Sequence, residues 1–202
     1  MTITYEYEGA LYVNLTNRCN CNCEFCLRHG KKEGSIYTED SLWLEREPTR
    51  QEALDSFLSR DVCSYREIVF CGYGEPVYRL DEMLAIASHI KRRGGKTRLN
   101  TNGHGNLIHG RDITPQLKII DLVNISLNAP DRAMYDRLCR PIYKDVAFDS
   151  VLFFARACKA SGVNCRFSVV DCIGDVCVRK CQELADREGI PLYVRKMILS
   201  EK

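Results

Sequence analysis

Three cysteines, Cys19, Cys23 and Cys26, form a C-x3-C-x2-C run inside Asn17-Arg18-Cys19-Asn20-Cys21-Asn22-Cys23-Glu24-Phe25-Cys26. Thiolates are soft ligands, and three close together can hold three irons of a four-iron cubane while the fourth iron keeps no protein ligand; most cluster proteins supply four cysteines. The open iron would be a binding site for a small molecule. A zinc knuckle is the rival reading, but it needs a fourth ligand, for which Cys21 is too close in sequence and His29 is merely available.

Six β-branched or aromatic runs alternate with helical patterns: Leu11 to Thr16, Glu67 to Cys71, Lys96 to Thr101, Leu122 to Leu127, Val163 to Val170 and Leu192 to Ile198. Such β/α alternation predicts a parallel sheet. Thr49 with Glu52 is a capping box, Thr114-Pro115 a helix start, and Gly94 and Gly162 stand where helices end. Leu27 to Pro48 is long for a βα loop and is the expected mobile or site-covering segment.

Side chains alternate faces along a strand. One face is apolar in Leu11/Val13/Leu15, Val123/Ile125/Leu127 and Val163/Cys165/Phe167/Val169; the other carries Tyr12/Asn14/Thr16, Asn124/Ser126/Asn128 and Asn164/Arg166/Ser168, with Arg98, Asn100 and Asn102 from the third run. A parallel sheet covered on both sides should be apolar on both. A polar face therefore predicts a wet or ligand-filled interior. A closed eight-stranded barrel usually needs ~250 residues, so six units in 202 residues predict a partial (β/α)6 TIM-like barrel of the α/β class, a single domain over 1–202.

Net charge is +2, so no global basic field announces a nucleic acid or membrane. No apolar run approaches the ~20 residues that cross a bilayer. The opening MTITYEYEG has neither a basic nor an apolar leader segment, and the twelve cysteines are expected to stay reduced in the cytoplasm, where clustered thiols bind metal or catalyse.

The cysteine spacing on the loop after the first strand, with Phe25 just before the last cysteine, closely resembles the radical S-adenosylmethionine (SAM) superfamily, and the resemblance extends across the chain. It implies a [4Fe-4S] cluster on Cys19, Cys23 and Cys26, with the amino and carboxylate groups of SAM chelating the open iron. The reduced cluster passes one electron to the sulfonium, giving methionine and a 5′-deoxyadenosyl radical. Phe70-Cys71-Gly72-Tyr73-Gly74-Glu75-Pro76 looks like the family's Gly-Gly-Glu-Pro segment, whose glycines let the backbone approach the methionine; Tyr73 between the glycines makes this a variant form. Asn100-Thr101-Asn102-Gly103 is similar to the family's TNG turn. Ser126 and Asn128 match positions that bind ribose hydroxyls or the methionyl carboxylate, and Arg166, Ser168 and Arg195 face the inferred cavity, where carboxylate, adenine or substrate would lie. For Gly72 to Pro76, an ordinary βα turn is the rival, and for Ser126 and Asn128 a structural role.

The resemblance further implies a flavodoxin or ferredoxin electron donor. The NLTNRCNCNCEFCLR opening and GYGEP turn look most like small radical SAM proteins associated with TatD-type nucleases, and a barrel open on one side suits a macromolecular substrate. Radical SAM RNA methyltransferases and glycyl-radical activating enzymes are alternatives, as is a metal-binding or redox interaction module that never cleaves SAM. Cys172, Cys177 and Cys181 raise an auxiliary cluster, but Cys177, Cys181 and Leu184 fall at i, i+4 and i+7 of a helix, which favours burial as small apolar groups.

Overall fold

The polypeptide begins with a hairpin that the strand pattern does not anticipate. In the computed structural model, which describes residues 1–29 and 41–197, β1 (Thr4–Tyr7) pairs antiparallel with β2 (Ala10–Val13). Glu8 and Gly9 make the turn at φ 48° and 72°, the positive values that a two-residue hairpin turn requires. Glu-Gly is not one of the strong hairpin signals, so the first strand is invisible to pattern reading.

β2, β3 (Ile68–Phe70), β4 (Thr97–Thr101), β5 (Leu122–Ser126), β6 (Cys165–Val170) and β7 (Leu192–Arg195) then lie parallel in sequence order. Each crossover returns the chain beside the strand it left, so the sheet curls in one direction. β1 and β7 are its two edges and do not pair, leaving a partial barrel. The expected six parallel strands are present, shorter at their ends than the apolar runs, with β1 as a seventh.

Helices α1 (Arg50–Asp55), α2 (Leu80–Arg92), α3 (Gly105–His109), α4 (Arg132–Cys139), α5 (Ala147–Ala160) and α6 (Asp175–Glu188) are interleaved with the strands. Their apolar residues, Met83, Ile86, Ile90, Val151, Phe154 and Leu184 among them, form one core with Leu11, Val13, Phe70, Leu99, Val123, Ile125 and Phe167 of the sheet. The Thr49/Glu52 capping box starts α1, and Gly94 and Gly162 stand at φ 82° and 72° after α2 and α5. Thr114-Pro115 opens a short 3-10 turn, Thr114–Ile119, rather than an α-helix. β5 begins at Leu122, too soon for a longer helix.

The opposite face of the sheet carries the polar rows. Register places Asn100, Asn124 and Arg166 in one layer and Ser126, Ser168 and Tyr193 in the next layer towards the strand ends. Of the long loop Leu27 to Pro48, residues 30–40 lie outside the described residues. The part from Ser41 is laced to the end of β2: Asn14 donates to the Leu42 carbonyl at 2.7 Å, and Asn17 both donates to the Leu44 carbonyl at 2.7 Å and accepts from its N–H at 3.1 Å.

One close approach sets the height of the loops above the strands. A Cβ at Gly74 would stand 2.3 Å from the Thr16 carbonyl oxygen and 2.6 Å from that of Arg18, and one at Gly72 would overlap the Asn14 side chain. Glu75 N–H donates to the Arg18 carbonyl at 2.8 Å. Gly74→Ala must displace backbone, an overpacking that costs about 3 kcal/mol. At Gly162, where a Cβ would meet nothing within 4 Å, Gly162→Ala should cost only the left-handed penalty of about 1–2 kcal/mol. Urea denaturation of the two metal-free variants should rank them in that order.

Candidate metal and cofactor site

Cys19, Cys23 and Cys26 sit half-buried and unbridged on the loop that follows β2, with Cys26 N–H donating to the Cys23 carbonyl at 3.1 Å across a tight turn. Among the described residues no three His, Cys, Asp or Glu side chains converge on a single ion. Tetrahedral zinc, with Zn–S of about 2.3 Å, would draw its sulfurs to about 3.8 Å of one another and needs a fourth ligand beside the three cysteines. A cubane takes one thiolate per iron corner and needs them apart.

The thiols nevertheless lie in one another's field. Burial, then the Glu75 carboxylate, push Cys19 up to about 12, with Cys23 adding to the effect; burial, with Cys23, also raises Cys26. Cys23 is held down to about 4 by hydrogen bonds from Cys139 and then from Cys21, against the cost of burial. Both donors stay protonated for the same reason, since each gives its S–H to the Cys23 sulfur. Three half-buried thiolates on one loop require positive charge beside them. An iron cluster supplies it, and the donor set fits one.

The loop is positioned by a buried hydrogen-bonded block. Asn102 donates through Nδ2 to Asn20 Oδ1 at 2.7 Å, while its Oδ1 accepts from the His104 N–H at 3.0 Å. Asn20 Nδ2 lies 2.7 Å from His104 Nδ1, and His104 Nε2 lies 3.1 Å from the Ala147 carbonyl and 3.2 Å from the Tyr135 hydroxyl. This pattern assigns the Nε2–H tautomer: Nε2 donates to Ala147 and Nδ1 accepts from Asn20. Burial pushes His104 down to about 4, which keeps the ring neutral. Backbone bonds complete the clamp, with Asn22 N–H on the Cys139 carbonyl at 2.9 Å, Glu24 N–H on Leu138 at 2.9 Å and Ile142 N–H on Asn20 at 2.9 Å.

The other residues singled out from sequence divide into three groups. Asn102, Glu75 and Ser168 are occupied within the protein. Glu75 is buried; its carboxylate accepts from Asn102 N–H at 2.7 Å and caps the turn at Val77, and burial pushes it up to about 7. Ser168 is fully buried and its hydroxyl accepts from Asn124 at 2.9 Å. Tyr73 is buried in a small cluster with Tyr5 and Leu42, edge-on to Trp43, and Gly72 and Gly74 are used first by the close approach to β2. Phe25, like Cys23, packs half-buried against the core.

Ser126 and Asn128 stand at the end of β5, Ser126 as its last residue. Asn128 adopts φ 58°, a value Asn tolerates. It donates to Cys139 Sγ at 3.7 Å, while its Oδ1 is buried with no partner among the described residues. An orphan acceptor costs free energy until something donates to it, and this one stands where the resemblance places ribose hydroxyls. Arg166 lies in the deeper layer.

Sequence reading missed Asn20, His104, Tyr135, Cys139 and Glu47. Glu47 accepts from Thr16 at 2.6 Å, Arg18 at 2.7 Å and Arg79 at 3.2 Å, tying the segment before α1 to the cysteine loop. The available signals were weak: His104 directly follows Asn102-Gly103, and Cys139 lies one helical turn beyond Tyr135. Among Cys172, Cys177 and Cys181, the first is exposed and the last buried in the helix–sheet core.

The sequence matches the family described as the Radical SAM superfamily over residues 13–181. No curated protein matches it. Solved structures share the fold at low identity. Native anSMEcpe with bound AdoMet superposes with a TM-score of 0.62 at 16% identity, covering 95% of this chain and 52% of that one. A radical SAM methyltransferase from Sphaerobacter thermophilus gives 0.61 at 14% identity, with 96% and 68% covered. The FeFe-hydrogenase maturase HydG from Carboxydothermus hydrogenoformans gives 0.61 at 17%, with 95% and 44% covered. The chain thus spans about half the length of several structures it matches.

Two variants test this arrangement. His104→Ala removes the ring that joins Asn20 to Ala147 and should lower the iron retained after desalting at least twofold while far-ultraviolet circular dichroism is unchanged. Cys172→Ala/Cys177→Ala should retain iron at the wild-type level, as chelation only at the loop after β2 requires.

Proposed function

From a chain that belongs to the radical SAM superfamily, whose members are enzymes that use a [4Fe-4S] cluster and SAM, we propose an enzyme that cleaves SAM reductively and abstracts hydrogen from a substrate held against the sheet's polar face. The observation that carries this reading is the trio of free, half-buried thiols on one loop, braced from behind by buried hydrogen bonds. A cluster held by Cys19, Cys23 and Cys26 would, when reduced, supply the one electron that splits the SAM sulfonium into methionine and the 5′-deoxyadenosyl radical.

The protein's contribution is to hold and orient. Cys19, Cys23 and Cys26 would carry the three irons, and the S–H groups of Cys21 and Cys139 would bear on one of the ligand sulfurs, the kind of contact that sets a cluster's potential. The backbone of Gly72 to Glu75 flanks the loop, and Phe25, the Ser126 hydroxyl and Asn128 Oδ1 are available to the nucleoside. A flavodoxin or ferredoxin would supply the electron. The gap between β1 and β7 suits a large substrate. The NLTNRCNCNCEFCLR and GYGEP segments support a place beside the small proteins associated with TatD-type nucleases. Among the described residues no helix is long and apolar enough to cross a membrane.

Anaerobic reconstitution tests the proposal. Wild type should hold about four irons per chain, as a cubane requires, and with dithionite and SAM should release 5′-deoxyadenosine detected by mass spectrometry. The Cys19→Ala/Cys23→Ala/Cys26→Ala variant should do neither, and a wild type that purifies with zinc and takes up no iron would refute the reading.

A further inference from the structure

The polar face carries two well-placed arginines whose charges are handled differently. Arg98 is fully engaged, with Nε and Nη2 each 3.0 Å from a Glu67 carboxylate oxygen and Nη1 2.6 Å from Asn100 Oδ1. Arg166 is positioned by one hydrogen bond and one ring contact but is not neutralised. Its Nε donates to Asn124 Oδ1 at 2.8 Å, and its guanidinium carbon stands 4.1 Å from the centroid of the Tyr193 ring. Asn124 is itself fixed through its 2.9 Å bond to buried Ser168. Among the described residues Arg166 has no carboxylate partner, and its Nη1 and Nη2 make no hydrogen bond.

The surroundings add to the imbalance. Burial, then the charge of Arg98, disfavour the protonated form of Arg166, and Arg195 acts in the same sense; only Tyr193 and the already paired Glu67 oppose them. A half-buried, oriented cation near like charges weakens the fold unless an anion joins it. The guanidinium edge left open is the one that binds carboxylate or phosphate through two parallel N–H bonds.

Depth separates this group from the cluster. Arg166 shares a register layer with Asn100 and Asn124. The layer one step nearer the strand ends, about 6.6 Å along the strand, contains Ser126 and Ser168. At that end Asn102, two residues beyond Asn100, meets the cysteine loop through Asn20. Arg166 therefore lies one layer deeper in the interior than the residues nearest the cysteine loop.

We infer that Arg166, set by Asn124 and Tyr193, is the seat for an anionic group, a phosphate or carboxylate, of the substrate. The seat itself does not depend on the radical SAM reading; only the name substrate does.

The test therefore begins with the cluster-free chain. Its melting temperature is followed in inorganic phosphate and, separately, in acetate, each at 10 mM and each against chloride at equal ionic strength. An oxyanion bound at millimolar strength should raise the wild-type midpoint by about 4 °C. Arg166→Gln should lose most of that shift, and Arg166→Lys should lose at least half, since lysine keeps the charge but not the two-pronged geometry. Tyr193→Leu, at an exposed edge position, serves as a second variant in which the shift should fall while folding is retained. Equilibrium dialysis of the reconstituted protein should give SAM affinity within twofold of wild type for Arg166→Gln. No shift with either anion, or equal shifts in wild type and variants, would overturn the inference. So would a tenfold loss of SAM affinity, which would assign Arg166 to the carboxylate of SAM. A chain that takes up no iron yet shows the Arg166-dependent shift would refute the radical SAM reading and leave the anion seat standing.

Discussion

The crowding of three cysteines into a buried loop is the constraint around which the site is arranged. Cysteines placed so closely together lose water and gain like charge, and either effect alone favours the neutral thiol. Cys19 and Cys26 are shifted in that direction, while Cys23 goes the other way because Cys139 and Cys21 donate to it. A loop bearing such a set would spread if only its own turn held it. It is instead bonded on one side to α4 and the residues after it, and on another to the turn that follows β4.

That bracing explains why polar groups are buried where a core would ordinarily be apolar. Asn20 and His104 are almost completely buried, and Asn102 is partly so, yet all three bond to one another or to backbone. A satisfied buried network specifies one arrangement, whereas a half-satisfied one is worse than an apolar core. The neutral state of His104 belongs to the same logic. A charged ring would need two acceptors, and Asn20 presents Nδ2 to its Nδ1. The apolar face of the sheet does the bulk of the folding, and this block fixes the loop's position on the finished scaffold.

The polar face follows a different rule. Arg98 with Glu67 and Asn124 with Ser168 are closed pairs, so they support without being available. Asn128 Oδ1 and the open edge of Arg166 are incomplete, one an acceptor and the other a cation, at different depths of the same open interior. Buried polar groups left incomplete call for an explanation, and a bound ligand is one that completes them.

Much of this was determined by the sequence alone. The six parallel strands, the polar interior and the cysteine loop are local patterns: alternation with period two, helical spacing between strands, and three thiols within eight residues of one another. Periodicity reports which face of an element is apolar, and it does so without knowledge of neighbours. The tertiary structure decided the rest. It gave Glu75, Asn102 and Ser168 hydrogen-bond partners within the protein and packed Tyr73 with Tyr5 and Leu42, and it brought His104 and Cys139 behind the loop. A hydrogen bond between residues some 80 positions apart, such as Asn20 with His104, leaves no mark on the local pattern of either segment, because its geometry exists only once β2 and β4 have packed into one sheet.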